Sequence, residues 1–226
     1  MPPSQEARKK SKSDRLDALL LNVVDAGLAV CIFGVPLVMG GRHALGRLLL
    51  VVAAVAVALV WMFRQGLRRE FRWRRSPADW LLPAGLVILL VQLAPLGEAM
   101  LAHLSPSTAA ILPLWTSHAD RNAALGLWPC VSMTPAATRA AIPLYLAYGL
   151  LVLVVVQRIK SLDDVRRLLA GIALSAVVVA CLGLLQWAAG NGLYLWVYEH
   201  PYSSASDAVK GSFTNRNHFA HFLALG

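Results

Sequence analysis

Five stretches of the chain stay almost free of charge for about the length of a membrane crossing. They run approximately over residues 18–39, 44–63, Trp80 to Gly97, Ala137 to Val156 and Leu168 to Ala189. A bilayer core about 30 Å thick takes roughly 20 apolar residues in a helix, so each stretch is predicted to be a transmembrane helix. Asp25 interrupts the first, Arg47 lies near the start of the second, and Pro83 and Pro95 fall in the third. A sixth apolar run opens near Asn217 and reaches Gly226 after about half the residues of a crossing. The pattern predicts an all-α polytopic membrane protein with five complete transmembrane helices and the start of a sixth. It reads as the front part of a longer chain, or as one with a re-entrant or peripheral end. The first apolar run is longer than a signal-peptide core and no small-residue cleavage site precedes a soluble domain, so it reads as a retained helix.

Composition agrees with this reading. Of 226 residues, 58% are hydrophobic and 15% charged, with a mean hydropathy of +0.59; soluble domains carry about a quarter charged residues. The net charge of +9 would suggest nucleic acid in a soluble chain, but topology accounts for it. Arg8, Lys9, Lys10, Lys12 and Arg15 precede the first run. Arg64, Arg68, Arg69, Arg72, Arg74 and Arg75 follow the second, and Arg158, Lys160, Arg166 and Arg167 follow the fourth. These are fifteen of the 21 basic residues, all on one side of the predicted membrane. The positive-inside rule then places the N-terminus in the cytoplasm. No aromatic-basic module accompanies the charges, so no nucleic-acid partner is expected.

The predicted organisation is a basic cytoplasmic tail over 1–17, a five-helix region over 18–189 with an outer loop at about 98–136, a second outer loop over 190–216, and a helix start over 217–226. The tail is predicted to be disordered and held near anionic membrane lipid by charge. Cys31, Cys130 and Cys181 lie far apart in sequence and offer neither a disulfide framework nor a CxxC metal site. All six histidines fall on the outer side, where the membrane interface also tolerates them. Trp61, Trp80, Tyr194, Trp196 and Tyr198 read as interfacial belt residues. The aromatic loop over 194–202 also has the chemistry to stack on sugars or lie along polyprenyl lipid.

The most informative stretch runs from Lys210 through Gly211, Ser212, Phe213, Thr214, Asn215, Arg216, Asn217 and His218 to Ala220. Here an outer loop becomes a membrane helix, whose first N–H groups are unpaired and attract anions. Gly211 permits a tight turn, and Thr214, Asn215 and Asn217 can cap. Arg216 suits bidentate contact with phosphate and Lys210 supplies a point charge. The stretch therefore reads as a phosphate or pyrophosphate site made by Lys210, Arg216, Asn215, Asn217 and His218, or as an ordinary helix cap with interfacial basic anchors.

GSFTNRNHFAHFL resembles the GTFxNxNHFA signature of the O-antigen ligase and O-antigen polymerase superfamily, polytopic bacterial glycosyltransferases. The segment from Trp128 to Arg139 is similar to one these proteins place before their fourth helix, and LGLLQWAAG followed by an aromatic outer loop fits the same order. The likeness covers most of the chain from about Trp80 onward. It implies transfer of a glycan from an undecaprenyl-diphosphate donor to a glycan, lipid or protein acceptor on the periplasmic face, in cell-surface polysaccharide biosynthesis, with no metal and no other cofactor. It also implies an Arg and a His from a later outer loop, so the stretch up to Gly226 would be inactive alone. Many members have an Arg a few residues before the motif glycine, where this chain has only Lys210.

Other groups offer weaker chemistry. His218 and His221 share a helix face near Glu199 and His200, a spacing conceivable for a metal. Asn22 and Asp25 lie one turn apart in the first helix, as a functional intramembrane carboxylate or a helix-to-helix hydrogen bond. Gln92 and Gln186 read as interhelical contacts. The alternative class is a non-enzymatic transporter subunit or truncated scaffold protein, although no internal repeat of the transporter kind is present.

Overall fold

The computed structural model describes residues 5–41, 43–68, 73–111, 130–200 and 204–226. Among them the regular elements are helices, and the one extended pairing is an isolated bridge between Tyr194 and Tyr198. In chain order they are α1 (Gln5–Ala29), α2 (Ala44–Arg68), α3 (Ala78–Leu93), α4 (Glu98–Leu104), α5 (Pro106–Ile111), α6 (Pro135–Arg158), α7 (Leu162–Ala189) and α8 (Arg216–Leu225). Four described segments are long and apolar enough to cross a membrane: Asp14–Leu37, Ala44–Arg68, Pro135–Arg158 and Leu162–Ala189. The third expected span is shorter than the others, with 16 residues in α3, or about 24 Å at the usual rise. Pro95 sets its end: a proline disfavours helical backbone in the residue before it, and Ala94 has ψ 130°.

The basic segment departs from expectation. Helix α1 already starts at Gln5, so the tail read as disordered is helical from that point. Glu, Ala, Arg and Lys are good helix formers, and a spanning helix directly after them supplies the costly nucleus onto which they add. In the outer loop expected over 98–136, α4 and α5 occupy the first part. Trp115, His118, Arg121 and Trp128 lie outside the described residues.

The chain forms two compact units, Met1–Arg74 with Leu150–Gly226, and Arg75–Gly149; the boundary falls inside α6. In the first unit Val24 of α1 packs with Val57, Ala58 and Trp61 of α2 and Val154 of α6. The two sides of α2 show what surrounds it. Leu50, Ala54, Val57, Trp61 and Arg64 are buried, while Leu45, Leu48, Val52, Val55, Leu59 and Met62 form an exposed stripe at alternating three- and four-residue spacing. A helix apolar on both faces belongs in a bilayer, with the exposed face against lipid.

In the second unit Tyr145 of α6 lies against α3. Its hydroxyl donates to the Leu82 carbonyl at 2.8 Å. Ser132 N–H donates to the Gln92 carbonyl at 3.1 Å, joining the end of α3 to the segment that leads into α6. Cys130 is fully buried there and its thiol donates to the Ser132 carbonyl at 3.4 Å; burial pushes the thiol pKa up.

Beyond Ala29 the first spanning helix changes register. A π turn over Val30–Gly34 is followed by one α turn, Val35–Leu37, and a 3₁₀ turn, Met39–Gly41. Pro36 has no N–H to give to the preceding turn, and Met39, Gly40 and Gly41 all have positive φ, which ends the ladder. Carbonyls are left over on a helix inside an apolar layer, where each needs a partner. Two serines supply them. Ser175 of α7, fully buried, donates to Ile32 O at 2.7 Å, and Ser212, from the loop before α8, donates to Pro36 O at 2.6 Å.

Candidate functional site

Ser212 stands in the middle of the motif stretch, so the broken helix leads directly to it. The Lys210–Phe213 turn is buried between the end of the first span and α7. Gly211 has φ 54° and lies against Gly183 of α7. A Cβ on it would come within 3.1 Å of Val179 O, 3.2 Å of the Phe219 ring and 3.4 Å of Gly183 Cα. Glycine thus provides both the left-handed backbone and the close approach. Phe213 lies over Gly40, where an added Cβ would be 2.3 Å from its ring, and packs with Phe219 and Phe222 of α8. The start of α8 is therefore fixed to two spanning segments.

Of the five predicted site residues, Lys210 departs most from expectation. The residue is only 7% exposed; its ammonium donates to Ser204 O at 3.0 Å and pairs with Asp207 at 3.7 Å. Ser204 in turn donates to Gly192 O at 3.3 Å, so Lys210 ties together the two halves of the 190–216 loop. Asn215 is the N-cap of α8, and its Oδ1 accepts from Asn217 N–H at 2.8 Å. That bond consumes one of the N–H donors that an anion would otherwise take. His218 is half-buried, and Asn217 is exposed. Arg216 is exposed at the first position of α8 and has no side-chain partner among the described residues. The structure thus brings Asn215 and Asn217 together, buries Lys210, and leaves Arg216 as the cation presented at this helix start.

The same end carries an aromatic turn whose organisation is not visible in sequence. Leu195 and Trp196 have φ 49° and 63°, a strained backbone for side chains of this size. Gln186 holds the turn: buried at the end of α7, its Oε1 accepts from Leu195 N–H at 3.1 Å. Gln186 was expected to make an interhelical contact, but the chain turns back over its own helix and reaches the amide first. Trp196 Nε1 donates to Ala189 O at 3.1 Å, which directs that indole to the helix end. Tyr194, Tyr198 and His200 stack edge to face, and His43, from the loop after the broken helix, joins Tyr198 at 6.1 Å. The sequence pattern puts these residues on one side; only the fold clusters them. His221 is exposed, and among the described residues no three His, Cys, Asp or Glu groups come together in a way that could hold a metal ion.

Charge is concentrated at the other end of the first unit. Asp17 of α1 forms an ion pair with Arg64 at 2.8 Å and bonds Arg68, both of α2. Asp25 accepts two bonds from Arg158, at 2.8 and 2.7 Å. It therefore joins α1 to α6, while Asn22 is exposed. Ser161 and Asp164 form a capping box at the start of α7, and Asp164 lies 3.8 Å from Arg158. The Gln157 amide closes a reciprocal pair with the Arg74 backbone, accepting at 2.9 Å and donating at 2.8 Å. In the sequence these arginines register only as topology signals. The acidic partners could have been suspected from Asp17 and Asp25, two turns apart on one helix.

No family profile, curated protein or solved structure matches the chain.

Proposed function

We propose that the protein is an inner-membrane glycosyltransferase of the O-antigen ligase and polymerase type, using a polyprenyl-diphosphate-linked glycan. In this reading α3 is a fifth crossing, α8 begins a sixth, and the N-terminus is cytoplasmic. The acceptor hydroxyl oxygen attacks the anomeric carbon, the bond from that carbon to the diphosphate breaks, and the hydroxyl proton passes to a base. Because the donor carries its own leaving group, the main electrostatic task is to hold the negative charge that grows on the diphosphate.

The observation that carries this reading is Arg216: an exposed guanidinium at the first turn of α8, within GSFTNRNHFA, with no side-chain partner among the described residues. The turn beneath it is fixed by Ser212, Gly211 and Phe213. A guanidinium offers a planar fork for two phosphate oxygens, and the helix N-terminus adds partial positive charge. Lys210, with its ammonium enclosed, contributes by holding the loop. The Tyr198 and His200 surface supplies aromatic faces for sugar or polyprenyl chain.

The test is deletion of the gene in its native host and complementation with wild type or Arg216→Ala at matched membrane levels. Deletion is expected to make polyprenyl-diphosphate-linked glycan accumulate. Wild type restores transfer and Arg216→Ala does not. Normal transfer by the variant would remove Arg216 from the mechanism, and a deletion with no accumulated donor would remove the enzyme class.

A further inference from the structure

The charged end of the first unit encloses a cavity of about 360 Å³, lined by Leu21, Trp61, Arg64, Arg68, Arg74, Gln157, Arg158 and Lys160 among others. We infer that this cavity is a binding site for a phosphate group, of the kind carried by the headgroup of an anionic phospholipid. It is separate from the α8 site and independent of the glycan-transfer reading.

Five of the lining residues are cationic, and their carboxylate partners do not match them. Asp17 serves both Arg64 and Arg68. Asp25 and Asp164 both lie on Arg158. Among the described residues Arg74 has no carboxylate partner; its guanidinium donates to the Ile159 carbonyl at 2.6 Å. The Lys160 ammonium has no partner among the described residues. Arg64 is 4% exposed, and its Nε, though near Asp17, makes no aligned hydrogen bond. Cations held this way beside a low-dielectric layer carry a desolvation cost that a bound anion offsets.

Position supplies the second argument. Arg64 and Arg68 are in the last turns of α2 and Arg158 is the last residue of α6, the depth at which headgroups sit. Basic pockets between transmembrane helices bind phosphorylated headgroups by this chemistry. Trp61 and Leu21 give the cavity an apolar wall next to its charges, suited to a ligand with a phosphate and a hydrocarbon part. The Asp17 pair is left in place as the frame, and Arg74 and Lys160 are the groups with capacity to spare.

The test uses the whole chain, purified in a zwitterionic detergent, with thermal unfolding followed during three titrations. The probes are phosphatidylglycerol in mixed micelles, phosphatidylcholine in the same micelles, and inorganic phosphate. Phosphatidylglycerol is expected to raise Tm saturably while phosphatidylcholine does not. A matching rise with millimolar inorganic phosphate would assign the site to the free anion; a rise with the lipid alone assigns it to the headgroup. The double variant Arg74→Gln/Lys160→Gln is expected to need at least tenfold more phosphatidylglycerol for half the shift. The backbone bonds of Arg74 to Gln157 survive that change. Arg15→Gln/Arg166→Gln, which removes the same net charge from exposed positions outside the cavity, is expected to titrate like wild type. An equal loss in both double variants, or no shift with any phosphate in wild type, would overturn the proposal.

Discussion

At one end of the first unit the helices are joined by charge, Asp17 to Arg64 and Arg68 and Asp25 to Arg158. At the other, from about 10 Å (Asp25 to Ile32) to about 28 Å (Asp17 to Pro36) farther along the first span, they are joined by neutral hydroxyls: Ser175 and Ser212 on two leftover carbonyls. The difference follows from what each end must satisfy. Where α1, α2 and α6 reach the interface, long side chains can pair while staying partly hydrated, and Arg68 remains 46% exposed. Where the first span breaks, the unsatisfied groups are backbone carbonyls between packed helices. A short hydroxyl reaches them without bringing in a charge. The charged end is thus open enough to admit a ligand through its surplus cations, and the neutral end is closed, with Arg216 presented on top of it.

The largest effect is expected where the neutral end has no room. Gly40→Val places a branched side chain on positive φ and into the Phe213 ring, and should cost about 3 kcal/mol or more. Thermal unfolding in detergent would read this as severe destabilisation or loss of folded protein; a variant as stable as wild type would show that the Phe213 contact is not fixed. Asp17→Asn comes next, because it leaves buried Arg64 without its counter-charge. The expected cost is about 2 to 3 kcal/mol, below the range for fully buried pairs because Arg68 is hydrated. Ser212→Ala strands Pro36 O and should cost about 1 to 2 kcal/mol. Comparison with Ser175→Ala sharpens the argument. Adding Pro36→Ala should recover part of the Ser175→Ala loss, since it returns an N–H to the preceding turn, while no such rescue is expected for Ser212→Ala. The smallest effect on stability is expected at Arg216, where alanine should change it by less than about 0.5 kcal/mol, while under the proposed glycosyltransferase reading the same change abolishes transfer.

Much of the architecture was legible in the sequence because a bilayer imposes a simple rule on it. Uncharged runs near 20 residues predicted helices where α1, α2, α6 and α7 lie, since every backbone group in lipid has to be satisfied within its own segment. Their ends were less legible. Pro95 shortened α3, and helix-forming charged residues carried α1 back to Gln5, both through local preferences that a count of apolar residues does not weigh. At the candidate site, Asn215 as a cap and Arg216 as an exposed cation followed from residue type and position. The enclosed ammonium of Lys210 did not, because its partners Ser204 and Asp207 become neighbours only when the loop folds back.

Sequence by itself determined that this chain is helical and membrane-embedded, where its helices pass, and where its positive charge accumulates. Those properties are additive over residues: each apolar or basic side chain contributes its own transfer free energy wherever the neighbouring helices go. Tertiary structure alone decided which charges are paired, which carbonyls of the broken helix the two serines reach, and that Gly211 faces Gly183. Those depend on pairs of atoms far apart in the chain, and hydrogen bonds and ion pairs act only over a few ångströms.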